Sequence, residues 1–387
     1  MTSYFAKRLF DGLQIHDNMQ LEVKDGVITR IEKASLSAAT ADAELDGLVC
    51  AGFIDTQVNG GGGVLFNYAP TLATLLTMMK GHSKYGTTAM LPTLITDSSE
   101  VMNAAANAVA EAVTAPELGI LGIHFEGPNL SNEKRGIHPN KHVRKISDSD
   151  LAIFTRGDIG KIMVTLAPEN VSPDIIAELV SKGVIVSLGH SAATFEQALA
   201  AIDAGARCTT HLFNAMSGLT AREPGLINIA LSDQRLTCGL IADLHHVHPQ
   251  NCALAYQCIG AERLMLVTDA MAHVGSDLQT LSWLDSTITR KGGRLTLDNG
   301  NLAGSCLDMS SAVRNMYLLL AQQTRKQDAD TVLGNVLNMA SRVPANLLDI
   351  VDRGRLKVGN KADFVLLSDD LLVKGTWVCG TQMSINA

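Results

Sequence analysis

The chain has 387 residues, 46% of them hydrophobic and 18% charged, with a formal net charge of −8; this composition buries a large core and excludes an intrinsically disordered chain. No basic stripe accompanies the acidic balance and no apolar run reaches the ~18 residues of a membrane span, so neither nucleic acid nor membrane is an expected partner. The seven cysteines are scattered without a CxxC pair, and MTSYFAKRLFDG at the N-terminus carries no secretory signal pattern, so a reduced, cytoplasmic protein is expected.

Residues 1 to 48 read as short strands punctuated by turns. Within LEVKDGVITRIEK (21–33), two alternating stretches flank Asp25-Gly26, a strong hairpin signal. The C-terminal stretch GRLKVGNKADFVLLSDDLLVKGTWVCGTQM (354–383) is strand-like too. The two ends, 1–48 and 350–387, are therefore expected to pair into one small β-sandwich domain outside an α/β body spanning 49–349.

That body offers eight candidate strands: Leu48–Gln57, Thr87–Ile95, Ile120–Glu126, Lys161–Ala167, Val184–His190, Arg207–Leu212, Leu236–Asp243 and Leu264–Asp269. Helical segments such as FEQALAAIDA (195–204) separate them. Eight βα units in about 300 residues predict an α/β fold built on a (β/α)8 TIM-type barrel. A doubly wound open sheet is the alternative, but NGGGGV at Gly60–Gly63 lacks the GxGxxG spacing that a nucleotide turn requires.

The polar residues cluster at the C-terminal ends of these strands: Gln57 and Asn59, Glu126, Glu169, His190, His211, Asp243 with His246, and Asp269. In a barrel those ends converge on one face, where active sites of this fold are built. Two imidazoles and one carboxylate, here His190, His211 and Glu126, make a catalytic metal set with an open position. A single such histidine is more often a hydrogen-bonded core or capping residue. Several buried ionisable groups at one end of successive strands need a shared reason. Asp269, at the tip of LMLVTDA, either caps the next helix or moves a proton between water and a leaving group; the second role is favoured.

The motifs GFIDTQVNG, HFEGP, VTLAPE, SLGHS, THLFNAM, REPGL and LVTDA occur in this order. Together they closely resemble the N-acetylglucosamine-6-phosphate deacetylases of the amidohydrolase superfamily, over essentially the whole chain. The resemblance implies hydrolysis of the acetamide of N-acetyl-D-glucosamine 6-phosphate to D-glucosamine 6-phosphate and acetate. It implies Glu126, His190 and His211 as ligands of one divalent metal, with Zn²⁺ fitting best and iron, cobalt or manganese able to use the same set. Asp269 becomes the acid–base residue, and His138 in KRGIHPN polarises the carbonyl or holds the sugar. Arg222 offers a bidentate fork for the phosphate and, as in related enzymes, can serve a neighbouring subunit in a homodimer or a dimer of dimers. Ile137, Asn214, Ala215, His246, Leu302, Ala303 and Gly304 complete the implied substrate contacts.

Two departures matter. Many amidohydrolases carry His-x-His at the end of the first strand, where it binds a second metal; here the stretch is Gln57-Val58-Asn59, so one metal is expected. The run Asp243-Leu244-His245-His246-Val247-His248 is richer in histidine than the family's usual form, leaving His245 and His248 as bystanders or adventitious ligands. Two alternatives stand beside this reading. One is another amidohydrolase, such as a cyclic amidase or a deacetylase for the galactosamine 6-phosphate epimer. The other is a catalytically inactive barrel that serves as a binding protein.

Overall fold

The computed structural model describes residues 1–34, 41–115, 118–323 and 328–383. The alternating N-terminal segments form the expected hairpin: Ile15–Lys24 pairs antiparallel with Val27–Lys33, with Lys24 opposite Val27. Asp25 and Gly26 turn at φ +50° and +77°, the left-handed pair of a type I′ turn that matches strand twist. Thr2–Phe10 joins this hairpin on one side and Ala43–Ala51 on the other. Ala43–Ala51 then takes Phe364–Leu367 antiparallel, followed by Val373–Val378 and Thr381–Gln382. Both chain ends thus build one seven-stranded sheet. Its core includes Phe364 stacked on Trp377, with ring centroids 4.5 Å apart, and Tyr4 edge-on to both.

The second sheet holds eight parallel strands in sequence order: Phe53–Val58, Thr87–Ile95, Gly122–Glu126, Lys161–Leu166, Ile185–Leu188, Cys208–Thr209, Thr237–Ile241 and Leu264–Val267. All of their residues are buried except partly exposed Lys161 and Thr237, as expected of parallel strands covered by helices. The first and last strands meet beyond their ends. Asp269 N donates to Gln57 O, while Asn59 N and Gly60 N donate to Ala270 O, each at 2.9 Å. This seam closes the barrel and brings the first and eighth strand ends side by side. Helices alternate with the strands, several with side-chain caps. At Phe195–Asp203, Thr194 and Gln197 form a capping box. Among the described residues no helix is long and apolar enough to cross a membrane.

Two features depart from the sequence expectation. Leu48–Gln57 is not one strand: Ala43–Ala51 belongs to the terminal sheet and Phe53–Val58 to the barrel, with the chain crossing between them at Gly52. A Cβ at Gly52 would sit 2.1 Å from Thr88 Oγ1, so only glycine passes there. After the eighth strand, Thr280–Trp283, Ser286–Lys291 and Arg294–Thr296 form a small antiparallel sheet. It leans on the loop before His138, since Trp283 Nε1 donates to Ile137 O at 3.1 Å.

Candidate metal and catalytic site

Glu126 is the last residue of the third barrel strand, whereas His190 and His211 lie just past the ends of the fifth and sixth. The two histidines, with Asp269 after the eighth strand, adopt φ of +48°, +33° and +51°. Left-handed backbone in non-glycine residues costs roughly 1 kcal/mol or more each, and it persists where function requires a side chain aimed inward. Here the turn swings each polar side chain from the strand end over the barrel mouth.

The three ligand candidates converge. Glu126 Oε1 lies 3.2 Å from His190 Nε2 and 3.1 Å from His211 Nε2, and the two ring nitrogens are 2.9 Å apart. Donors about 2.0–2.1 Å from a tetrahedral ion lie about 3.3 Å from one another, so these residues fit a bound metal. His190 Nδ1 lies 2.8 Å from Lys134 O. A carbonyl only accepts, so Nδ1 carries the proton and Nε2 presents its lone pair to the centre. Burial raises the Glu126 pKa, but the close contacts with His190 and His211 outweigh it and hold the carboxyl well below its ordinary value.

His138 comes closer than its loop position suggests. Its Nε2 is 3.9 Å from Glu126 Oε2, and one ligand atom each from Glu126, His138 and His190 lies within 4.8 Å of the others. Its Nδ1 meets Thr96 Oγ1 at 2.8 Å, and that hydroxyl donates to Glu126 O at 3.1 Å. Thr96 thereby ties the loop histidine to the strand that carries Glu126. Burial and the neighbouring His190 hold His138 well below the ordinary histidine pKa, which makes it a neutral ring.

Asp269 faces the same centre. Its Oδ1 accepts from Asn59 Nδ2 at 2.7 Å and from Gln57 Nε2 at 3.3 Å. Gln57 Nε2 also donates to Glu126 Oε1 at 2.9 Å, so one amide nitrogen bridges two carboxylates. Burial, reinforced by the Glu126 charge, pushes Asp269 up to about 6. A carboxylate so placed can both take and return a proton near neutral pH.

A cavity of ≈ 630 Å³, counted with its open mouth, lies over these groups, a size suited to a small-molecule substrate. Glu126, His138, His190, His211 and Asp269 line it, with Asn59, Ile137, Asn214, Ala215, His246, Leu302 and Gly304. His246 is oriented by Asp243, whose Oδ2 lies 2.7 Å from Nδ1, leaving Nε2 for a ligand. Asp243 Oδ1 also accepts from the backbone N–H of His245 and His246.

Some expected residues fall elsewhere. Ala303 is fully buried with Met271 and Leu295 and does not line the cavity. Arg222 is exposed and lies outside the lining, in which no lysine or arginine takes part among the described residues. His248 caps the helix Pro249–Ile259 by accepting from Gln250 N at 3.2 Å, a structural task, and His245 is exposed. Glu169 accepts from Ser191 Oγ and Ala192 N, both at 2.7 Å, and so braces the turn after His190. Sequence reasoning missed Thr96, which carries no motif; its only signal is a polar residue just past the second strand.

Residues 48–383 match the model of the amidohydrolase family. The chain belongs to the amidohydrolase family. A Shewanella protein named N-acetylgalactosamine-6-phosphate deacetylase is 46% identical over 97% of this chain and 94% of its own. The N-acetylglucosamine-6-phosphate deacetylase of Haemophilus influenzae is 33% identical, with 90% of each chain covered. Among solved structures, the N-acetylglucosamine-6-phosphate deacetylase of Pasteurella multocida superposes with a TM-score of 0.91 at 33% identity, covering 98% of this chain and 99% of that one. The shared architecture is the parallel-stranded barrel beside a smaller sheet from the two termini.

Proposed function

We propose that this amidohydrolase removes the acetyl group of an N-acetylhexosamine 6-phosphate, giving the amino sugar phosphate and acetate. The observation that carries the reading is a buried carboxylate, Asp269, with its pKa raised to about 6 and facing the Glu126, His190 and His211 donor set beneath a cavity of sugar-phosphate size. Glu126, His190 and His211 would hold a single divalent ion, Zn²⁺ by donor preference, with iron, cobalt and manganese accepted by the same atoms. Such an ion supplies Lewis acidity to the amide carbonyl and to the attacking water.

The protein's own groups handle the protons. Asp269 takes a proton as the water oxygen bonds to the acyl carbon, and gives it to the nitrogen as the C–N bond breaks. The remaining water proton passes from the new carboxylic acid to the amine, so acetate and an ammonium sugar leave. His138, pinned by Thr96, borders the acyl group, and His246 presents Nε2 to the sugar. The backbone around Asn214 and Ala215, together with Ile137, Leu302 and Gly304, shapes the remaining wall. Phosphate needs positive charge that the lining lacks, and Arg222 from a second copy of the chain would supply it; this makes a homodimer or a dimer of dimers the working state.

The gluco and galacto epimers differ at one hydroxyl. The 46% identity to a relative named for galactosamine, against 33% to one named for glucosamine, favours the galacto substrate as the better of the two. Turnover on both sugar phosphates tests this: the reading expects hydrolysis of both, with the larger kcat/KM on the galacto compound. Hydrolysis of neither refutes the function, and a clear preference for the gluco compound reverses the epimer assignment.

A further inference from the structure

We propose that Asn59 and Gln57 are positioning residues that pin Asp269 by one oxygen, Oδ1, and leave Oδ2 as the atom that carries the proton. The inference rests on the deacetylase reading and assigns work to two amides that the donor set does not need. In a site with His-x-His at this position these side chains would face a second cation. Here they face a carboxylate. Asn59 Nδ2 donates to Asp269 Oδ1 at 2.7 Å, the shorter of the two contacts, and Gln57 Nε2 reaches the same oxygen at 3.3 Å. A carboxylate oxygen that accepts two N–H groups is less basic than its unbonded partner, so the proton goes to Oδ2.

The backbone supports this assignment. Asn59 N donates to Ala270 O and Asp269 N to Gln57 O, both at 2.9 Å, so the amides and the carboxylate sit on the same closing seam. Their relative placement is therefore set by the barrel closure rather than by a mobile loop. Asn59 is 2% exposed, and its Oδ1 has no partner among the described residues. An unpaired buried carbonyl is costly. Keeping Nδ2 on Asp269 while Oδ1 goes unpaired marks a local arrangement held for the site and not for stability. Gln57 adds a second constraint. By bridging Asp269 and Glu126 it fixes the distance between the acid–base residue and the donor set, as a second cation would otherwise do.

The test is a double-mutant cycle on the metal-loaded, full-length enzyme, with Asn59→Ala made alone and in the Asp269→Asn background. The expected result is a fall in kcat of about thirtyfold to a hundredfold for Asn59→Ala, with KM within threefold and the metal content unchanged. In Asp269→Asn, adding Asn59→Ala should change the residual rate less than twofold, because its only path to catalysis is already lost. Equal losses in both backgrounds, or an unchanged kcat in Asn59→Ala, would overturn the proposal. Asn59→Asp keeps the size and replaces the donor with an acceptor, which covers the case in which alanine unfolds the seam. A correctly folded Asn59→Asp enzyme with native kcat would also overturn it. Failure of the wild-type enzyme on either sugar phosphate would instead sink the deacetylase reading, independently of this cycle.

Discussion

Replacing Asp269 with asparagine separates proton transfer from every other task of the site. The substitution keeps the shape, and an amide oxygen at the Oδ1 position can still accept from Asn59 Nδ2 and Gln57 Nε2. It removes the carboxylate proposed to carry the proton. General acid–base catalysis contributes ~10²–10⁴ in rate, which at about 1.4 kcal/mol per decade is on the order of 3–5 kcal/mol of barrier. The loss should fall on kcat, with KM within a few-fold and one metal per chain retained. Stability should move the opposite way. Burial next to Glu126 pushes Asp269 from 3.8 up to about 6. A raised folded pKa means stability that is complete below the unfolded value and lost as pH rises through about 6. In the metal-free protein at pH 8 the asparagine variant should therefore melt higher than wild type, by up to ~3 kcal/mol, and at pH 4 the gap should close. Amine release measured under saturating substrate, alongside thermal melts at both pH values, reads both effects. A variant that turns over at the native rate refutes the acid–base role.

Other expectations follow from groups away from the proton path. His82 is fully buried, with Nε2 2.8 Å from Gly60 O, and burial pulls it down to about 4. A depressed histidine contributes stability above the unfolded value of 6.5 that is lost as pH falls toward 4, so wild type should lose about 3 kcal/mol across that window. His82→Gln should flatten the dependence, and an unchanged pH profile of melting would contradict the burial argument. Arg222→Ala should raise KM for the phosphorylated sugar at least tenfold and leave an unphosphorylated analogue within twofold; equal effects on both would remove arginine from phosphate binding.

The strand-end logic was legible where a functional side chain closes a mostly apolar run: Glu126 after ILGIHF, Asp269 after LMLVT. The Asp25-Gly26 turn was legible as local chemistry at fixed spacing. What the sequence hid is long-range. Leu48–Gln57 reads as one apolar run, and only the crossing against Thr88 shows that it serves two sheets. The antiparallel insertion carries a local signal of its own, Gly292-Gly293 between alternating stretches. Thr96 with His138 and Gln57 with both carboxylates join residues 42, 69 and 212 positions apart, and no local pattern reports them. Arg222 sits in a strong motif yet stays outside the cavity of its own chain, because a motif states kinship and not where a side chain points.

Deacetylation is proposed to depend on a metal held by Glu126, His190 and His211. Acetate release from the N-acetylhexosamine 6-phosphates should be measured on purified protein, on chelated protein, and after re-addition of Zn²⁺, iron, cobalt or manganese. The expected result is about one ion per chain, loss of nearly all activity on chelation, and recovery with one equivalent of a suitable ion. Full activity in protein verified to contain no metal would contradict it.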